Sequence, residues 1–427
     1  MKWLYSIVVL AGVPVMEGSA KDAYTGDVDF LLREFEARAG GLMAVKKIDW
    51  QAVSQEYRAA ARETQTDVEH LKLVARLVGE LRDGHAGIIK STVKWPDESL
   101  GRRYTGPRVS LLAVRDRVLV RGAFKDAAAA GLHAGQEVLR MDGLPARQWL
   151  DERVRVMQER GQGFSTPQMA LYMASHWGLA DWAGTQIDFE IRDADGQVRE
   201  IARVRNGGPN YAAIGPLFAP EDLQYVGRQA YGRTPEGLGY LHLRDVPANL
   251  PIQLQEMLAK IGDVPGMILD MRANGGGGCD HAAVFAKFLA KGQSWRGYTA
   301  AYDDGYTGPL VVIVDAGVRS AGETVAGMFK EDGRAYMIGE SATAGMSSQK
   351  QEITTPSGWF TVRFSVASNM GRFNEGRGIE GIGVVPHETV LPDAKDLLEE
   401  KDTLIARAVQ LLQQGFPEGV VAYPAKR

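Results

Sequence analysis

Two stretches in the second half of the chain hold residue types that could do chemistry. Leu269-Asp270-Met271-Arg272-Ala273-Asn274-Gly275-Gly276-Gly277-Gly278 is an apolar strand running into four consecutive glycines. With no Cβ in the way, such a loop can bring backbone N–H groups against a bound group. It lacks the Lys-Ser/Thr ending of a P-loop and is not Gly-x-Gly-x-x-Gly, so an oxyanion hole competes with a plain flexible turn as its reading. Forty residues on, a second apolar strand ends in Asp315-Ala316-Gly317-Val318-Arg319-Ser320-Ala321-Gly322-Glu323 and enters a helical pattern. Ser320 then stands at a helix N-terminus, where the dipole favours a developing negative charge and the N–H of Ala321 points at a reacting centre. Ser-x-x-Glu is also a capping box, so Ser320 reads locally as either a cap or a nucleophile. A nucleophilic serine needs a base. Of the seven histidines, His85 is the one set in an Asp-Gly-His turn after a helical segment.

The elements that must position these residues fall into three regions. Asp27 to about Lys90 shows apolar residues at spacings of three and four, which predicts helices, and residues 21–100 read as a helical domain. Residues 105–205 switch to short alternating β-type runs with an Asp195-Gly196 turn and read as a β-rich module. Residues 230–427 alternate strands with helices, an α/β layout. Ahead of them, Lys2, the apolar run Trp3 to Met16 and Gly18-Ser19-Ala20 have the form of a secretory signal over residues 1–20, too short to span a bilayer. That predicts an extracytoplasmic protein, periplasmic or secreted, with no stable membrane span. Lys+Arg 49 against Asp+Glu 53 gives a net charge of −4 with no basic block, which argues against nucleic acid as a partner. A single cysteine, Cys279, forms no intramolecular disulfide, and no Cys/His cluster has metal-site spacing. Neither a metal nor an organic cofactor is expected, and the oligomeric state is not encoded in any pattern.

Taken in order, Asp83-Gly84-His85, the stretch from Asp270 to Gly277, Ser320-Ala321-Gly322-Glu323, Gly339-Glu340-x4-Gly345 and Ile379-Glu380-Gly381-Ile382-Gly383-Val384-Val385-Pro386 resemble the tail-specific, or C-terminal processing, serine peptidases and the related tricorn-core enzymes. The resemblance implies a ClpP/crotonase-like α/β core, an inserted β-rich domain, an N-terminal helical domain, and a peptide or protein substrate. Ala130-Gly131-Leu132 and Asp142-Gly143 are similar to a PDZ pattern, although Gln136 replaces the usual Asp and the carboxylate-binding loop is reduced to Gly106-Pro107-Arg108-Val109. Gly106 and Val109 are therefore candidate peptide-binding positions, through strand addition.

The C-terminal processing branch implies a Ser-Lys dyad, and its lysine position here is Met346, whose thioether accepts no proton. Lys350, four residues on, is an accessory candidate that extended geometry places roughly 13 Å further along unless the register shifts. The tricorn-like branch implies His85 as base, helped by Glu380. The serine that commonly precedes that histidine is replaced by Gly84, which removes a bridging hydroxyl and leaves Glu380 to act directly or through water, with Asp83 as an accessory. The resemblance thus implies acyl transfer by Ser320, with the N–H groups of Gly276 and Ala321 holding the oxyanion. Two alternatives stand beside it: a catalytically inactive member that binds peptides or another extracytoplasmic ligand, favoured by Met346 and Gly84, and a crotonase-type acyl-CoA enzyme, disfavoured by the secretion signal.

Overall fold

The computed structural model describes residues 20–96, 104–207, 215–300, 305–346, 348–369 and 371–423. The signal-like stretch apart from Ala20 lies outside the described residues. Among those described, no helix is long and apolar enough to cross a membrane.

The α/β layout expected of the last region takes the form of a seven-stranded sheet. Its order is Gln224–Val226, Gln229–Arg233, Gly239–His242, Met267–Asp270, Leu310–Val314, Tyr336–Gly339 and Glu388–Thr389, parallel from Gly239–His242 onward. Strands covered on both faces read as unbroken apolar runs, and Leu310-Val311-Val312-Ile313-Val314 is such a run. Alternate side chains divide between two cores. Leu310, Val312 and Val314 face the helices Leu250–Ile261, His281–Ala286 and Ala321–Glu331, whereas Val311 and Ile313 face the helix Thr403–Gln414. The two central strands end side by side at Asp270 and Val314, so the glycine run and the Ser320 loop leave the same edge of the sheet.

The β-rich middle region is an antiparallel sheet in the order Val109–Val114, Arg117–Ala123, Glu137–Met141, Gln186–Arg192, Val198–Val204, with the helices Ala146–Glu159 and Pro167–His176. The helix Pro167–His176 is anchored to the core as well. Thr166 Oγ1 donates to Ala344 O (2.9 Å), and Gln168 Nε2 donates to Thr343 O (3.1 Å) and Ile382 O (3.0 Å).

The helices Ala20–Val45, Trp50–Glu63 and Asp67–Gly79 do not stand alone. Val28, Leu31, Phe35, Leu71 and Val74 share a core with Ile353, Phe360, Val362 and Phe364, which lie on the distant hairpin of strands Ser348–Thr354 and Phe360–Ser368. The strand Gly87–Ser91 completes that three-stranded sheet. The physical reason is that the three helices leave apolar side chains such as Leu31, Phe35 and Val74 that need a further element to cover them. The hairpin supplies it, and this pairing carries the His85 turn to the far end of the core.

Candidate active site

Ser320 sits between the strand Leu310–Val314 and the helix Ala321–Glu331 with φ 56° and ψ −128°. An ordinary N-cap is extended, whereas this is a left-handed conformation that costs a non-glycine residue about 1–3 kcal/mol. The surroundings hold it there. Arg319 N–H donates to Asn274 O (3.0 Å), and Asp315 Oδ1 accepts the N–H groups of both Gly317 and Ala273 (2.9 Å each), tying the two loops together. Gly276, at φ 80°, packs beneath the serine: a Cβ there would lie 2.7 Å from Ser320 Cβ and 2.7 Å from Arg319 O.

Glu323, fully buried, does more than close a capping box. Its Oε2 accepts Ser320 N–H (3.1 Å) and Met346 N–H (2.9 Å), and its Oε1 accepts Gly345 N–H (2.7 Å) and the Thr343 hydroxyl (2.5 Å). Burial raises this carboxyl, and the donors oppose the rise. One side chain thus holds the Ser320 loop and the segment carrying Met346.

The oxyanion assignment needs a correction. Gly276 N–H is directed at Asn274 Oδ1 (2.9 Å), while Asn274 Nδ2 donates to Leu243 O (2.7 Å). The N–H groups of Ala321 and Gly277 donate to no atom among the described residues. Val246 brackets Gly277, its N–H donating to Gly276 O and its carbonyl accepting from Gly278 N–H. Four glycines in a row carry no signal of which N–H is left over.

His85, half-buried, lies in the turn before Gly87–Ser91. Asp83 builds that turn without touching the ring: Oδ1 accepts His85 N–H (2.8 Å) and Oδ2 accepts Ser365 N–H (2.7 Å). Ser365 is the cross-strand partner of Lys350, and a bulge between Gln349 and Lys350 provides the register shift that extended geometry lacks. Lys350 Nζ consequently lies 3.5 Å from His85 Nε2, so the expected separation does not keep it from that ring. The imidazole is pushed down to about 4 by burial and then by the Lys350 charge, with Asp83 opposing and Arg319 and Arg363 adding to the depression. His85 Nδ1 is buried and has no hydrogen-bond partner, and no hydrogen bond joins Ser320 to His85.

Glu380 is also placed differently from the direct contact considered for it. Its Oε1 accepts from Lys46 Nζ (2.7 Å) and Ser165 Oγ (3.0 Å), and its Oε2 is buried without a partner. Burial raises it and Lys46 opposes. Ser165 Oγ also accepts Gly84 N–H (3.0 Å), so a hydroxyl from the middle region links Glu380 to the backbone of the His85 turn. Ser165-Thr166-Pro167 opening a helix was a readable cap signal, whereas Lys46 had none. A Cβ at Gly84 would lie 2.7 Å from Met169 Cε and 2.8 Å from Met346 Sδ, so two thioethers occupy the space a side chain there would need.

The two peptide-binding candidates are not gathered here. Val109 is buried in the core of the middle region, and Gly106 O accepts Gly207 N–H (3.1 Å). Both positions are therefore engaged internally. Cys279 is half-buried, its thiol pushed up to about 11 by burial and Asp280. Among the described residues, no group of three His, Cys, Asp or Glu could hold a metal ion.

A strained serine at a helix N-terminus, packed against a glycine loop, is an arrangement suited to a serine nucleophile. Residues 237–390 match the model of peptidase family S41. It is 24% identical over 405 residues to a tricorn protease homologue of Streptomyces coelicolor, an alignment covering 88% of this chain and 32% of the relative. It is 28% identical over 178 residues to the chloroplastic C-terminal processing peptidase of Tetradesmus obliquus, covering 38% of this chain and 37% of that one. The chain thus spans about a third of the length of these curated relatives. In fold it is similar to mature CPAF, with a TM-score of 0.69 at 15% identity over 95% of this chain and 99% of the other.

Proposed function

We propose that the chain is an extracytoplasmic serine endopeptidase that cleaves peptide or protein substrates through an acyl-enzyme at Ser320. The observation that carries the reading is the strained Ser320 backbone, held by Glu323, Asn274 and Asp315 beside the unpartnered N–H of Ala321. In the proposed cycle His85 Nε2 takes the hydroxyl proton as Ser320 Oγ attacks the carbonyl, and the N–H groups of Ala321 and Gly277 receive the oxyanion. Proton return from His85 expels the amine, and water then releases the acyl group. A base at Nε2 requires the proton on Nδ1. The two orphaned atoms, His85 Nδ1 as donor and Glu380 Oε2 as acceptor, are complementary in type. Depression of His85 to about 4 keeps the imidazole neutral, as a base must be. Extracytoplasmic placement rests on the signal-like run, and C-terminal processing as the specific task rests on the family.

The test is labelling by a fluorophosphonate probe together with mass-spectrometric digestion of a peptide library, run with Ser320→Ala and His85→Ala. Labelling and cleavage that vanish in S320A support the reading. An inert, folded wild type that still binds peptides supports the second reading, an inactive peptide-binding member, which the Lys350 contact at His85 Nε2 favours.

A further inference from the structure

A base cannot accept a proton on a lone pair that is already engaged, and the lone pair in question is His85 Nε2. Its neighbour is the Lys350 ammonium at 3.5 Å, carried on a strand whose register is fixed through Ser365 and Asp83. Lys350 is exposed, and no carboxylate pairs with it among the described residues. Arg319, adjacent to the nucleophile, also lacks a carboxylate partner among the described residues and lies 5.5 Å from the centre of the Trp177 ring. The nearby acids are committed elsewhere. Glu380 pairs with Lys46, Glu352 with Arg363, and Asp83 accepts two backbone N–H groups. A chain of net charge −4 therefore presents two uncompensated cations at its candidate cleft, and one of them sits on the base.

We propose that Lys350 is a gate answering to a substrate carboxylate: an acidic group on the peptide draws the ammonium off His85 Nε2, freeing it for the Ser320 hydroxyl. This deepens the peptidase reading and rests on it. The preferred substrates carry a carboxylate near the scissile bond, from an Asp or Glu side chain or from a free C-terminus, with Arg319 as a second cation for it. No covalent step is added, since the ammonium only exchanges one acceptor for another. The charged groups acting on His85 are Lys350, Asp83, Arg319 and Arg363, and Lys350 is the one of these in contact with the ring.

The test measures kcat/KM on peptides differing only by Glu or Gln beside the cut site, each with a free or amidated C-terminus, for wild type and Lys350→Met. Wild type should prefer the carboxylate by on the order of tenfold, the Glu arm and the free-terminus arm showing which source is read. K350M should collapse that ratio and raise turnover of the Gln, amidated peptide several-fold. By NMR, the His85 ring of K350M should titrate at higher pH, and the collapse of the carboxylate preference is the readout a merely structural lysine would not move. An unchanged preference in K350M overturns the gate while leaving the peptidase standing. Loss of all cleavage in folded K350M overturns it as well, making Lys350 a required group. A wild type that neither cleaves nor labels at Ser320 removes the peptidase reading itself and the gate with it.

Discussion

Replacing Glu323 by glutamine keeps shape and volume and changes one oxygen into an amide nitrogen, so its effect isolates what the carboxylate does. Four donors converge on Glu323, two on each oxygen. An amide placed with nitrogen at the Oε2 position would face the N–H groups of both Ser320 and Met346. With nitrogen at the Oε1 position, the Thr343 hydroxyl could turn to accept it, but Gly345 N–H would still meet an N–H. The better orientation therefore leaves one buried donor unpaired and weakens the charge-assisted bonds to the rest. That amounts to roughly 2–4 kcal/mol of lost stability, a large share of the ~5–15 kcal/mol that holds a typical domain together. Urea unfolding followed by tryptophan fluorescence reads the change as a lower midpoint at unaltered slope. The same variant should lose most activity, because Ser320 N–H is among the released donors. A cost under about 0.5 kcal/mol would refute the reasoning, since it would mean that burial has already made Glu323 neutral and that the site needs no anionic acceptor.

A Gly276→Ala variant should fold yet lose fluorophosphonate labelling, because its Cβ would meet Ser320 Cβ and Arg319 O at 2.7 Å from a backbone already at φ 80°. Ser165→Ala removes both the acceptor of Gly84 N–H and a donor to Glu380; it should cost about 1–3 kcal/mol in urea unfolding and lower kcat with little change in KM. Asp315→Asn tests the pH dependence of the Ser320 loop. One oxygen of Asp315 accepts two N–H groups and the other is buried unpartnered, and its carboxyl is pushed up to about 7 by burial and then by Glu340. A raised carboxyl contributes stability that is present at low pH and lost as pH rises through its folded value, so D315N should gain on wild type by ~2–3 kcal/mol between pH 5 and pH 9, measured by urea unfolding at each pH.

How far the molecule was legible in its sequence depends on the range over which each feature is determined. The α/β core was readable because runs such as Leu310–Val314 and Met267–Asp270 are apolar throughout, the mark of strands covered on both faces. The Ser320 loop was readable because a strand, a glycine-bearing turn and a helix follow one another locally. What escaped is set by contacts between distant segments. Lys46 meets Glu380 from the end of the first helix, and the Phe360–Ser368 strand completes the core of helices hundreds of residues earlier. Neither pairing has a periodicity to betray it. The reach of Lys350 depended on one bulge, since a one-residue register change redirects a strand side chain, and no local residue pattern announced it. The donor available for an oxyanion was hidden for another reason: Gly276 and Gly277 are chemically identical, and Asn274 decides between them by accepting one N–H.

The two departures from the family pattern, Met346 and Gly84, are a single change when seen in space. A lysine at 346 would place its ammonium where Met346 Sδ now packs against Met169 and the Gly84 backbone, a pocket that Phe164 and Ala344 help to make apolar. Filling that pocket with thioethers removes the room for a side chain at 84, so the hydroxyl cannot come from the residue before His85. Ser165 supplies it instead from the segment leading into Pro167–His176, reaching both Gly84 N–H and Glu380. The same geometry explains why the ammonium near the base belongs to Lys350: with position 346 apolar, the bulged strand brings a cation to His85 from its exposed side, where a substrate can reach it.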